Sequence, residues 1–203
     1  MTTTSAEIQK LEAEIGALSR KLGQLRKDTA PQRVKNYKFQ DLNGEHTLLD
    51  LFAGKEQLLA IHNMGQGCRY CTLWADGMNG FLPHLENEFS VVLFSKDSPT
   101  LQRQFANSRG WHFRMFSHGG GEYIQEQSVM TGERNGPGLV CYFRKGDEIF
   151  RKNASAFGPG DQFCSLWHII SLAGRNEENW TPQYNYWKPM APAQMDDGGK
   201  NVI

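Results

Sequence analysis

The stretch from residue 58 to residue 80, LLAIHNMGQGCRYCTLWADGMNG, constrains the fold of this chain more than any other. Its first residues form an apolar run of strand length, and a loop containing Gly65 and Gly67 follows. Cys68 and Cys71 then stand three positions apart, at the start of a segment with helical spacing. A strand that leads through a loop into Cys-x-x-Cys at a helix start is typical of thiol redox chemistry.

The two cysteines are predicted to have different roles. Unpaired backbone N–H groups and the positive end of the helix dipole favour the thiolate form of a cysteine at the helix start. Cys68 is therefore the predicted nucleophile. Cys71 is the predicted resolving thiol, which attacks a mixed disulfide at Cys68 and releases the partner. We expect Arg69 to stabilise the Cys68 anion further and Tyr70 to supply an aromatic surface beside the sulfur.

A structural zinc site and a pair of inert buried thiols are the alternatives to a redox pair. Zinc needs further ligands at short spacing, and the remaining cysteines, Cys141 and Cys164, do not form such a pair. Only His168, four residues after Cys164, keeps a site shared with Cys68 and Cys71 open. We favour the redox pair, with no metal and no cofactor, and interpret Cys141 and Cys164 as structural.

Charge and length exclude several classes of protein. The 203 residues suffice for one sizeable core, and 22 basic residues balance 22 acidic ones. This balance gives no electrostatic signature of nucleic acid or membrane binding, and no apolar run has the length of a signal peptide core or membrane span. We therefore expect a cytoplasmic protein, where a Cys-x-x-Cys pair serves chemistry more readily than permanent cross-linking. Its expected partner is a disulfide or thiol on a protein or small molecule.

The N-terminal segment, residues 1–30, is predicted to be an amphipathic helical extension. Within residues 4–27, Thr4 and Glu7 have the spacing of a capping box. Apolar residues recur at alternating intervals of three and four: Ile8, Leu11, Ile15, Leu18, Leu22 and Leu25. Such a stripe either packs on its own domain or pairs with a second copy as a short coiled coil, which makes a homodimer possible.

The pattern from residue 31 to residue 175 predicts one α/β domain. A small hairpin around residues 43–44 comes first, and the β-branched run 90–94 reads as an interior strand beside the one before the cysteines. A helix after Ser98-Pro99, a second hairpin after residues 136–138 and a last helix ending near Gly174 follow. Residues 176–203 form a tail rich in aromatic residues and proline, expected to wrap the domain in part.

Three side chains near the cysteines or opposite them have two interpretations each. Trp74 either flanks the redox centre or fills the core, and Asp76 either accepts a proton from the resolving thiol or is a solvated helix residue. Pro137, directly before a strand, either adopts the cis form opposite the cysteines and presents backbone groups to substrate, or is an ordinary strand-entry proline. His112 and His118 match no common metal spacing, and we interpret both as surface or loop residues.

Several stretches resemble a bacterial family of thioredoxin-like proteins of unknown function, often described as predicted dithiol-disulfide oxidoreductases. They are LLDLFAGKEQLLAIHNM, GCRYCTLWADGMNG, the later RGW at 109–111, and the region from FGPGD to GRNEE. The resemblance implies a thioredoxin-like α/β fold, with a central mixed sheet flanked by helices and preceded by the helical extension. It marks Cys68, Cys71, Trp74 and Asp76 as the distinctive element. It also places His62 where thioredoxin-like proteins keep a buried acid under the resolving thiol, so His62 is either a proton acceptor or a satisfied core histidine.

Three functions remain in competition. The first is a thiol-disulfide oxidoreductase that uses Cys68 and Cys71. The second is a peroxiredoxin-like thiol peroxidase, which the strands ahead of the core favour, although Gly65 stands where that class has a threonine. The third is a non-catalytic dimeric binding module built on the N-terminal helix and the aromatic tail, because a fold alone does not establish an activity.

Overall fold

A computed structural model describes residues 3–130, 132–176, 178–184 and 186 of the chain. Its centre is a mixed sheet with the order β1-β8-β7-β4-β5-β6-β2-β3. The strands are β1 Gln32–Val34, β2 Lys38–Asp41, β3 Gly44–Thr47, β4 Gln57–His62, β5 Ser90–Ser95, β6 Arg114–Ser117, β7 Gly138–Lys145 and β8 Glu148–Ala156. Strands β4, β5 and β6 are parallel, whereas β7 pairs antiparallel with both β4 and β8. This is the mixed, helix-flanked sheet of the thioredoxin-like fold.

Five α-helices accompany the sheet in the described part of the chain, together with one 3-10 turn at Asp50–Phe52. They are α1 Thr3–Asp28, α2 Arg69–Glu88, α3 Pro99–Arg109, α4 Glu122–Gln127 and α5 Ser165–Leu172. The Ser98 hydroxyl accepts a hydrogen bond from the Leu101 N–H at the helix start that the sequence pattern predicts, and Gly110 ends α3 in the left-handed conformation. None of the described helices combines the length and apolar character needed to cross a lipid bilayer.

The sheet separates two hydrophobic cores. Strand β5 is buried along its whole length, which confirms the interior strand predicted from its β-branched run. Side chains alternate between faces along a strand, so Ala60 joins the core that contains Phe39, Phe94 and Tyr123, whereas Ile61 faces the helix α2. The second core is built on residues of β4, β5, α2 and α5: Ile61, Trp74, Met78, Leu93 and Trp167. The start of α2 therefore lies over the second core.

The glycine-proline motif before β7 has a steric reason. The paired backbones of β7 and β8 approach closely at Gly138, where an added Cβ would clash with the Ser155 carbonyl oxygen. Gly138 also pairs with His62 across the sheet, so the motif lies beside the end of β4. The hairpin turn at 145–148 joins β7 to β8, as predicted.

Helix α1 departs from the sequence prediction in two ways. The helix already includes Thr3 and Thr4, so Thr4 is not its N-cap and the predicted capping box is wrong. No residue of α1 is buried, which also excludes packing of its apolar stripe on the domain. The second half of α1 contacts the domain, where the Asn153 amide donates to the Arg26 carbonyl at 3.1 Å.

The tail contacts the domain as far as the structure describes it. The indole rings of Trp180 and Trp167 are 5.8 Å apart, and the Arg109 guanidinium donates to the Tyr184 carbonyl at 2.7 Å. Residues 187–203 lie outside the described residues, so the prediction for them stays untested.

Candidate functional site

Cys68 stands at the N-terminus of α2, where the sequence pattern places it. The residue is the N-cap of the helix, and its Sγ accepts a hydrogen bond from the Cys71 backbone N–H at 3.1 Å. This N–H is one of the donors that a helix start leaves without an intrahelical partner, so it stabilises negative charge on the sulfur. Cys68 is 1 % exposed, and it lines the cavity described below.

Cys71 lies within the first turn of α2 and is also buried. Its Sγ is 3.5 Å from the Met64 backbone N–H, at the start of the loop that follows β4. No disulfide joins Cys68 to Cys71 in this structure. The pair therefore shares one helix turn, with a backbone donor directed at each sulfur.

The loop between β4 and α2 is held by two side chains that the sequence pattern did not single out. Asn63 accepts from the Gly65 N–H at 2.8 Å, and Asp97 accepts from the Gln66 N–H at 2.7 Å. Gly65 has a φ of +116°, and an added Cβ would lie 2.8 Å from the Asp97 carboxylate. Burial raises the pKa of Asp97, although the bond from Gln66 opposes that shift.

A signal for Asp97 was present in the sequence. Residue 97 directly follows the run that forms β5, and β5 is the parallel neighbour of β4. Because parallel strands end at the same sheet edge, polar residues after β5 lie beside the loop after β4. Asp97 therefore fixes the backbone path that leads to the cysteines.

His62 is a buried core histidine whose Nε2 has a hydrogen-bond partner, whereas its Nδ1 has none among the described residues. Its ring lies on the sheet face opposite α2, 5.4 Å from the ring of Tyr123, and its Nε2 is 2.7 Å from the Tyr123 hydroxyl. Burial, with smaller contributions from the charges of His118 and Arg151, lowers the pKa of His62 to about 3. Because the ring packs against Phe94 and Tyr123 on the face opposite α2, the predicted position under the resolving thiol is wrong.

His118 also differs from the expectation for a surface residue. Its side chain is buried, and its Nδ1 accepts from the Gly120 N–H at 3.0 Å. Burial is the main cause that lowers the pKa of His118 to about 4, with a smaller contribution from Lys96.

The aromatic residues of α2 form a layer beside Cys68. Trp74 is buried and stacks on Phe157, with ring centroids 5.4 Å apart, so it fills the core and flanks the cysteine pair at the same time. Tyr70 stacks on Trp167 at 6.3 Å. The guanidinium of Arg69 lies over the Tyr70 ring, 5.7 Å from its centroid, and makes a cation–π contact with it.

Asp76 joins α2 to the segment between α3 and β6. Its carboxylate accepts from the Trp111 indole N–H at 2.8 Å and forms an ion pair with Arg109 that includes a bond from Nε at 3.2 Å. The interpretation of Asp76 as a solvated helix residue is therefore wrong. The Arg-Gly-Trp motif at 109–111 supplies both partners of this clamp.

Pro137 and Cys68 line the same cavity of about 330 Å³. The Gly136–Pro137 peptide bond is trans, so the alternative of a cis proline is wrong. The Pro137 carbonyl accepts from the Phe157 N–H at 2.9 Å and is therefore engaged within the protein. The other walls of the cavity include Met64, Tyr70, Trp74 and Glu133.

The other two cysteines lie apart from this site. Cys141 is half-buried on β7, and Cys164 is the N-cap of α5, where its N–H donates to Asp161 at 3.1 Å. Burial raises the pKa of both thiols. Within the described residues, no three or more histidine, cysteine or acidic side chains group as metal ligands. The zinc alternative that joined Cys164 and His168 to Cys68 and Cys71 therefore finds no support.

Comparison with known proteins gives one family. Residues 4–191 match the sequence profile of a family described as "Bacterial protein of unknown function (DUF899)". A comparison with curated proteins finds no match.

Solved structures resemble the chain in fold. AhpC of Enterococcus faecalis has a TM-score of 0.51 at 13% identity, over 71% of this chain and 91% of that chain. The peroxidoxin BcpB of Mycobacterium tuberculosis has a TM-score of 0.48 at 16% identity, over 71% of this chain and 94% of that one. A mutant of PrxQ of Xylella fastidiosa has a TM-score of 0.48 at 12% identity, over 71% of this chain and 96% of that one. At such identities the similarity concerns the fold alone.

Proposed function

This chain belongs to the bacterial DUF899 family, and we propose that it is a thiol-disulfide oxidoreductase in which Cys68 attacks and Cys71 resolves. One observation carries the proposal: Cys68 is the N-cap of α2, with its sulfur 3.1 Å from the Cys71 N–H and open to a cavity. A helix N-terminus lowers the cost of a thiolate, and thiolate is the reactive form. Two residues between the cysteines keep the second thiol within one helical turn of the first.

The reaction is a pair of thiol-disulfide exchanges. The Cys68 thiolate attacks one sulfur of a substrate disulfide, and the other substrate sulfur leaves as a thiolate that takes a proton from water. The Cys71 thiolate then attacks the Cys68 sulfur of the mixed disulfide, and the second substrate sulfur leaves in the same way. The substrate disulfide is thus reduced to two thiols, while Cys68 and Cys71 are oxidised to one disulfide.

A dithiol or monothiol donor closes the cycle by reducing the Cys68–Cys71 disulfide. In the cytoplasm, where we expect the protein, the thiol pool is a reductant of this class. The backbone N–H of Met64, 3.5 Å from the Cys71 sulfur, supports the thiolate that leaves when the donor attacks Cys68.

The direct test uses serine variants and a protein disulfide substrate. Cys71→Ser lacks the resolving thiol, so we expect it to accumulate a mixed disulfide at Cys68, detected by non-reducing electrophoresis and peptide mass mapping. Cys68→Ser is expected to form no adduct at residue 71 and to lose turnover at least about 100-fold. Cys164→Ser is the matched control and should retain turnover. Equal turnover by Cys68→Ser and wild type contradicts the proposal.

A thiol peroxidase is the second candidate, because AhpC of Enterococcus faecalis shares the fold. In that reaction the Cys68 thiolate would attack one peroxide oxygen and become a sulfenic acid, while the O–O bond breaks and the other oxygen leaves as water or an alcohol. Cys71 would then condense with the sulfenic acid to a disulfide and release a second molecule, water. Hydrogen peroxide consumption by the reduced protein separates the two activities. Peroxide turnover that depends on Cys68 and exceeds disulfide turnover would favour the peroxidase.

A non-catalytic binding module is the third candidate. It requires that the cysteines be dispensable, so a Cys68→Ser/Cys71→Ser variant would retain the full biological effect. Loss of that effect, with folding intact by circular dichroism, supports the redox function instead.

A further inference from the structure

The cavity at Cys68 has an apolar wall. Aromatic rings of Tyr70, Trp74 and Phe157 and the side chain of Met64 line it beside the sulfur. Glu133 is the only charged residue that the described lining contains. No cationic side chain lines the cavity in the described part of the chain, so a carboxylate entering it would meet an acid and no counter-ion.

We propose that the redox site takes apolar, uncharged or cationic sulfur compounds and discriminates against anionic ones. This inference rests on the proposed function, because it concerns the substrate of that same site. Aromatic and thioether walls stabilise an apolar group next to the reacting sulfur through burial, whereas Glu133 repels a carboxylate-bearing disulfide such as glutathione disulfide. The best substrate carries its disulfide on aromatic or aliphatic groups, as an exposed apolar peptide segment does.

The test compares two pairs of disulfides that differ in charge. Neutral 2,2′-dipyridyl disulfide is set against the anionic aromatic reagent 5,5′-dithiobis(2-nitrobenzoate), and cationic cystamine against glutathione disulfide. Each rate of Cys68–Cys71 oxidation is divided by the rate with a free dithiol, which removes intrinsic reactivity. We expect the normalised rates to favour the neutral and cationic members by about tenfold or more at low salt.

Glu133→Gln is expected to narrow both ratios several-fold, and Glu133→Lys to narrow them further. Glu56→Gln, at the opposite end of β4, is the charge-matched control and should leave the ratios unchanged. The inference is overturned if the wild type oxidises with the anionic disulfides as fast as with their neutral or cationic counterparts, after normalisation. It is also overturned if the Glu133 variants have the same rate ratios as the wild type. Either result leaves the proposed function intact. Failure of all four disulfides to oxidise the pair overturns the proposed function itself.

A separate observation concerns helix α1. Its apolar stripe has the heptad spacing of a coiled coil, with isoleucine or leucine at the a positions 8, 15 and 22 and leucine at the d positions 11, 18 and 25. These six side chains are 36 to 65% exposed. Ser19 and Arg26, which contact Gln162 and Phe163, occupy e positions of the heptad and therefore border the stripe on the side that faces the domain. The stripe therefore borders the domain near Leu22, which is 36% exposed, and its other five side chains are 53 to 65% exposed.

Charges on α1 select the partner and its direction. The first half is net acidic, with Glu7, Glu12 and Glu14 against Lys10, whereas the second half is net basic, with Arg20, Lys21, Arg26 and Lys27 against Asp28. Two parallel copies would place Glu7 near Glu12 and Lys21 near Arg26 of the other copy, and both contacts are repulsive. Two antiparallel copies bring Glu14 next to Lys21, which is attractive, and Glu7 next to Asp28, which is repulsive, and they align each net acidic half with a net basic half.

We infer that α1 pairs with α1 of a second copy as a two-stranded antiparallel coiled coil. In this register Ile8 meets Leu25, Leu11 meets Leu22 and Ile15 meets Leu18, so every residue of the stripe is buried once. The interface is isologous, since the same surface of both copies forms it around a two-fold axis.

The molecular mass in solution tests the pairing. The wild-type chain of 23.0 kDa should sediment as a dimer of about 46 kDa at micromolar concentration. Leu11→Glu/Leu18→Glu should sediment as a monomer while the domain unfolds at an unchanged denaturant concentration, because both leucines are exposed in the single chain. Ala13→Glu/Ala17→Glu adds the same charge on other exposed positions of the helix and should stay dimeric. A monomeric wild type overturns the inference.

Charge reversal tests the direction. Lys21→Glu should weaken an antiparallel dimer about 5- to 10-fold, because residue 21 would then face Glu14, and adding Glu14→Lys should restore the affinity. A parallel dimer predicts the opposite sign, since Lys21→Glu would relieve the repulsion with Arg26. Tighter association of the single variant would therefore contradict the antiparallel arrangement.

Discussion

At the scale of single residues, burial decides what the histidines do. His62 and His118 have pKa values lowered from 6.5 to about 3 and about 4, so both are neutral in the folded protein near neutral pH. In the unfolded chain each binds a proton near pH 6.5. The unfolded state therefore binds more protons below that pH, and folding stability falls as the pH falls from 6.5 towards 4.

This gives a prediction for His62→Gln. Glutamine keeps a polar group near the position of Nε2 for the Tyr123 hydroxyl but does not titrate. The free energy of unfolding of the wild type should drop with acidification. Between pH 6 and 4, the free energy of unfolding of the variant should fall less steeply than that of the wild type, by up to about 1.4 kcal/mol per pH unit. Urea denaturation at a series of pH values measures both slopes. Parallel curves for the two proteins would show that His62 does not carry the effect.

The positions of Cys68 and Cys71 at the start of α2 could be predicted from their spacing alone, because a Cys-x-x-Cys pair after a strand constrains the local backbone. The surroundings of His62 could not be predicted in this way. Its position depends on which sheet face residue 62 occupies, and Tyr123, its hydrogen-bond partner, comes from a helix far along the chain. Side chains alternate along β4, so His62 lies on the other sheet face from Ile61. This alternation was visible in the sequence, whereas the resemblance to other proteins pointed to the face under α2.

At the scale of elements, the clamp between α2 and the start of β6 fixes the helix that carries the cysteines. Arg109 and Trp111 both donate to Asp76, and Arg109 also holds the tail through Tyr184. The motif was visible in the sequence as Arg-Gly-Trp, but its partner was not, since the three residues meet only when α2 and α3 pack on the same sheet face.

Asp76→Ala should destabilise the domain by about 1 to 3 kcal/mol, because it leaves the Trp111 indole and the Arg109 guanidinium without their acceptor. Asp76→Asn keeps an acceptor for Trp111 and should cost less. Urea denaturation of both variants measures the difference, with Glu12→Ala on the exposed helix α1 as the control. An Asp76→Ala protein as stable as the control would contradict the role of the clamp.

At the scale of the whole molecule, the sequence pattern predicted the class of the sheet and the order of most of its elements, but it did not predict β1, β6 or α4. Apolar runs, turn residues and caps are local signals, and they determine β4, β5, α3 and the hairpins. Local sequence signals could not predict what the apolar stripe of α1 packs against. The same heptad spacing suits the surface of the domain and a second helix, and only the packed structure shows that the domain leaves it exposed.

The proposed function makes one central chemical claim. It states that Cys68 and Cys71 interconvert between dithiol and disulfide while the protein stays folded. The cavity supports access to Cys68, although the side chain is almost fully covered. Cys141 and Cys164 lie elsewhere in the fold and serve as internal controls.

The most direct measurement is peptide mass mapping of the wild-type protein after treatment with a disulfide oxidant and after reduction by dithiothreitol. We predict that oxidation consumes two thiols, links Cys68 to Cys71, leaves Cys141 and Cys164 as thiols and preserves the circular dichroism spectrum. Reduction should restore both thiols. If Cys68 and Cys71 remain thiols under an oxidant that converts a free dithiol completely, the proposed redox pair is contradicted.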